Sequence, residues 1–101
     1  MSNLDFIGGL PGEALVREGL ADWQAGRHTI AACLIRIARP RLVDAGLIPP
    51  ATAPVAIEPE FELYRLLRQQ GGDAYSRYNA LIRELVSFES ALDHRRRRLA
   101  G

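Results

Sequence analysis

The chain has 101 residues, 48% of them apolar and 25% charged, which is enough to bury one modest core and excludes a disordered, collagen-like or disulfide-stapled chain. Thirteen arginines against twelve acidic residues leave a net charge of +1, so overall charge favours neither a nucleic-acid coat nor a trap for acidic substrates. The charge is unevenly spread: residues 1–94 carry a balance of −3, and Arg95, Arg96, Arg97 and Arg98 add +4 in about one helical turn.

Residues 1–10, with Gly8 and Gly9, read as a flexible lead-in, and Pro11 and Gly12 open a first helix from Glu13. Leu15, Val16, Gly19, Leu20 and Trp23 recur there at three- and four-residue spacing. Gly26 stops it, and Thr29 is the expected N-cap of a second helix over residues 30–38. That segment is apolar on nearly every side and therefore buried. Arg39-Pro40 ends or kinks it, and a short helical stretch follows up to Gly46.

Pro49, Pro50, Pro54 and Pro59 make residues 47–58 a connector, read as a crossover within a single domain spanning residues 1–101. Pro59 opens a third helix, residues 60–70, with Phe61, Leu63, Tyr64, Leu66 and Leu67 taken as its apolar face. Glu58, Glu60 and Glu62 complement its dipole. Gly71-Gly72 closes it, and Asp73 caps a fourth, long helix running to about residue 100. Its stripe is Ala74, Tyr78, Leu81, Leu85, Phe88 and Leu92. No stretch alternates as a strand does. The fold class expected is all-α: a small four-helix cluster with a kinked second helix, a proline-rich crossover and a long C-terminal helix.

The fourth helix outruns the third, so Leu85, Phe88 and Leu92 lack a sequence-adjacent cover. Either the N-terminal helices fold over them or a second copy does. The homodimer is the reading adopted, with Leu85, Phe88 and Leu92 as its interface.

Catalytic and metal chemistry find little support. Cys33 is the sole cysteine, which precludes an internal disulfide and fits a reducing compartment. It lies in an apolar segment and reads as an inert core residue. His28 and His94 form no close ligand pair with it. No serine occupies a G-x-S-x-G elbow, and the glycines at 8, 9 and 12 lack the strand and the Lys-Ser/Thr of a phosphate loop. The helix, turn and helix over residues 15–38 resemble a DNA-reading pair only in outline, because Ile30, Ala31, Ala32, Cys33 and Leu34 offer bases almost no hydrogen bonds. Trp23, Tyr64, Tyr75 and Tyr78 read as core or core-edge aromatics. No catalytic residue, cofactor or metal is expected.

The function expected is a non-enzymatic interaction or assembly module whose partner is itself or another protein. The alternative is a nucleic-acid-associated accessory role, with Arg95, Arg96, Arg97 and Arg98 as an anion-binding patch. No apolar run reaches the roughly 18 residues of a membrane span, and the first five residues lack an export signal's basic start. No membrane partner and a cytoplasmic location are therefore expected.

Overall fold

The computed structural model describes residues 6–49 and 58–100, excluding the side chain of Ala100; most of the expected crossover lies outside these residues. The fold is all-α, and no strand occurs among the described residues. The helices are α1 (Glu13–Gln24), α2 (Ile30–Ile37), α3 (Arg39–Asp44), α4 (Pro59–Gln69) and α5 (Ala74–Ala100). The kinked second element is thus two helices: α2 ends at Ile37, and α3 restarts around Pro40, which has no N–H to continue the ladder.

Side-chain caps hold the helix ends. Glu13 accepts from the Gly9 N–H at 2.8 Å and from Arg17 Nε at 2.6 Å, tying the turn before α1 to its first helical residues. Asp22 near the end of α1 accepts from Arg27 and from the Thr29 hydroxyl, both at 2.7 Å. The same Thr29 oxygen accepts the Ala32 N–H at 3.1 Å and so caps α2. Asp73 caps α5 through the Ser76 N–H at 3.0 Å and the Ser76 hydroxyl at 2.8 Å.

The apolar α2 is the centre of the core. Residues 31–35 are all buried, α1 packs on α2 through Val16 and Leu20, and α4 packs on it through Leu63 and Leu67. The hairpin of α4 and α5 turns on Gly71 and Gly72, whose φ angles of 79° and 78° suit glycine.

At 1.5 Å per residue, the 27 residues of α5 run about 40 Å and the 11 of α4 about 16 Å. The excess of α5 is covered from within the chain, which corrects the interface expected at Leu85, Phe88 and Leu92. These three are at most 2% exposed and share one core cluster with Ile7, Leu10, Leu42 and Ile48. A β-carbon on Gly12 would lie 3.4 Å from Phe88 Cβ, so the start of α1 also rests on this part of α5. Of the lead-in expected over residues 1–10, residues 1–5 lie outside the described residues, and residues 6–10 form a turn that buries Ile7 and Leu10. Each such large side chain contributes about 1.5–3 kcal/mol when fully buried, and that return is already taken inside one chain.

Candidate interaction groove

Two large rings remain outside the core. Phe61 on α4 is 74% exposed and Tyr75 on α5 is 67% exposed, and both line one open groove between the two helices. With Tyr64, Tyr78, Arg65 and Arg68 they surround about 740 Å³. Its base is firm, because the Tyr64 and Tyr78 rings, both half-buried, meet edge to face with centroids 5.9 Å apart at 67°. Glu60 and Gln69 complete the rim.

Phe61 was expected on the apolar face of its helix and Tyr75 in the core or at its edge; the structure turns both outward. The helical period carries the reason. At 100° per residue Phe61 lies about 160° around the helix from Leu63, so it cannot share the face that Leu63 and Leu67 bury.

Behind the groove lies the one buried charged side chain among the described residues, Glu62, at 7% exposure. Arg36 of α2 donates to it at 2.9 Å, and His28 Nδ1 and Arg65 stand 4.0 Å away. Glu62 is thus a cross-helix tie, beyond the dipole role expected for it. Cys33, 1% exposed, lies near this pair; burial first, and the Glu62 charge second, push its thiol above the usual cysteine range. A cavity of about 250 Å³ is lined by Trp23, His28, Cys33 and Arg36 among others. Such a thiol is a poor nucleophile. Trp23 stacks beneath Arg39, whose guanidinium carbon is 5.6 Å from the ring centroid.

The arginine run is divided by the fold. Arg95 is half-buried and donates to the carbonyls of Phe6 at 2.7 Å and Gly8 at 2.8 Å. Arg96 donates to the Asp44 carbonyl at the end of α3, at 2.9 Å, and Arg97 reaches the Asp93 carbonyl at 3.4 Å. Arg41 of α3 pairs with Asp93 beside them. Arg98 is exposed and borders a shallow recess with Val86, Ser90 and His94. The run is therefore not four equivalent cations on one patch: Arg95 and Arg96 join α5 to the N-terminal turn and to α3.

Among the described residues no cluster of three His, Cys, Asp or Glu side chains could hold a metal ion, and no helix is long and apolar enough to cross a membrane. Comparison with family models, with characterised proteins and with solved structures found no match to this chain.

Proposed function

We propose that the chain is a non-enzymatic protein-interaction module of the cytoplasm, and that the groove between α4 and α5 is its docking surface. The observation that carries this reading is the joint exposure of Phe61 and Tyr75. Leaving a ring of this size in water forgoes about 1.5–3 kcal/mol of burial, and aromatic and arginine side chains are the types enriched where proteins bind one another. With Leu85, Phe88 and Leu92 inside the chain, a homodimer belongs to this reading only as groove-to-groove association. The nucleic-acid alternative is weakened because Arg95 and Arg96 are engaged by backbone carbonyls.

The test is the double variant Phe61→Ser/Tyr75→Ser. Both positions are exposed, so stability should stay within about 0.5 kcal/mol per site. Affinity capture from the native extract at two salt concentrations, with and without nuclease, should lose its protein partners in the variant. Sedimentation equilibrium should dissolve any wild-type dimer in the same variant. Capture that is unchanged by the double substitution, or that disappears with nuclease, overturns the reading.

A further inference from the structure

Resting on the reading of this groove as a docking surface, we propose that its occupant is an acidic peptide segment bearing apolar anchors, with its carboxylates seated on Arg65 and Arg68. The groove is electrically ordered along α4. Glu60 stands at its N-terminal end, and Arg65 and Arg68 stand toward the Gly71-Gly72 turn. Eight residues separate Glu60 from Arg68, about 12 Å.

Both cations are available to a guest. The Arg68 side chain is exposed and makes no hydrogen bond or ion pair among the described residues. Arg65 has 57% of its side chain exposed, and its nearest acid, Glu62 at 4.0 Å, is already held by Arg36 at 2.9 Å. Asp73, the acid beyond the turn, is engaged by the amide and hydroxyl of Ser76. Guanidinium groups bind carboxylates in a two-point fork, so two arginines fix orientation as well as charge.

Between these poles the floor is aromatic. Phe61 and Tyr75 offer exposed faces to leucine-, phenylalanine- or tryptophan-like anchors, while the Tyr64–Tyr78 pair keeps the base in one shape. The 11 residues of α4 give a track of about 16 Å, which matches roughly five residues of extended peptide. A single nucleic-acid strand fits less well. It carries a phosphate at every nucleotide and would set one of them against Glu60, with two arginines as its only compensation. A peptide can place acids at the arginine end alone.

Selection of a random twelve-residue peptide display library on the full-length chain reads the ligand class directly. The expected result is enrichment of peptides with Asp or Glu beside apolar residues. A synthetic copy of the strongest should bind about tenfold more weakly, or worse, to Arg65→Glu/Arg68→Glu, and at least as well to Glu60→Gln. Enriched peptides that need Phe61 and Tyr75 but carry no acidic bias, or that ignore the charge reversal, overturn the acidic ligand and leave the groove standing. Absence of any peptide sensitive to Phe61→Ser/Tyr75→Ser overturns both. A labelled twelve-nucleotide single strand that displaces the selected peptide from the groove overturns the peptide class in favour of nucleic acid.

Discussion

Gly19 of α1 lies directly against the Ala31 carbonyl of α2: a β-carbon on residue 19 would stand 2.4 Å from that oxygen and 2.6 Å from Ile35 Cγ1. The crossing of the two helices is set by the absence of a side chain. In an open helix Gly→Ala gains up to about 1 kcal/mol. Here the obstacle is mostly backbone, which cannot rotate away, so α1 must lift from α2. Gly19→Ala should destabilise by about 1–3 kcal/mol and lower Tm by several degrees in thermal denaturation. A stabilised variant would show that the helices separate freely.

Arg36 and Glu62 make the second tie of α2, here to α4. Removing Arg36 leaves a carboxylate at 7% exposure with only its 4.0 Å neighbours, Arg65 and His28. Loss of one partner of a buried pair costs about 3–5 kcal/mol; with 22% of the Arg36 side chain in water, we expect about 2–3 for Arg36→Ala. The combined Arg36→Met/Glu62→Leu should recover most of that loss, since no charge is left stranded. Urea denaturation of the two variants decides it. Equal losses would mean that the ion pair itself, and not desolvation, governs stability there.

Local signals in the sequence were legible where they act locally. Thr29 and Asp73 cap the helices assigned to them, Gly26 and the Gly71-Gly72 pair end theirs, and Pro40 breaks the second element. Each depends on a few neighbouring atoms, so the residue type decides it. The places of Ile7 and Arg95 were not legible, because the partners of each lie across nearly the whole chain: Ile7 shares a core cluster with Phe88 and Leu92, and the Arg95 guanidinium binds the Phe6 and Gly8 carbonyls, 89 and 87 residues away. A short apolar group beside two glycines reads as flexible until the far helix that covers it is known. Phe61 differs, since its exposure was available from the helical angle to Leu63 and was hidden by treating all apolar residues of α4 as one face.

Three carboxylates give the fold an acid limit. The Ser76 amide and hydroxyl hold Asp73 below its usual range, the Thr29 hydroxyl and then Arg27 do so for Asp22, and the Gly9 amide and then Arg17 for Glu13. A carboxylate lowered on folding adds stability that is present above its unfolded pKa, about 4, and is lost as pH falls through the folded value. Glu89 runs the other way, raised by burial against the pull of Arg41. It costs stability at neutral pH, and protonation relieves that cost. Urea midpoints should therefore fall below about pH 4, with a shallower fall in Asp73→Ala, and Glu89→Gln should raise the midpoint at pH 7 but not at pH 3. A Glu89→Gln variant that is less stable at pH 7 would show that the attraction of Arg41 outweighs burial.

The four C-terminal arginines should separate into distinct classes when replaced singly by Gln. Their sequence alone suggested one solvated cluster whose removal would cost little, since exposed charge pairs contribute about 0–1 kcal/mol each. Arg95 departs from that picture because one guanidinium nitrogen serves both the Phe6 and Gly8 carbonyls in a half-buried setting. Hydrogen bonds to a charged group contribute about 1.5–3 kcal/mol, and the turn they hold carries Ile7, which is fully buried beside Phe88 and Leu92 in the same cluster. Arg95→Gln should thus cost about 2 kcal/mol and raise amide exchange in residues 6–10 along with the C-terminal half of α5. Arg96→Gln, losing one exposed bond to the Asp44 carbonyl, should cost about 0.5–1 kcal/mol, and Arg98→Gln should stay within about 0.5 kcal/mol. Hydrogen exchange supplies the decisive comparison, because a merely electrostatic effect would follow charge and treat Arg95 and Arg98 alike, whereas a latch on the N-terminal turn loosens that turn only when Arg95 is lost.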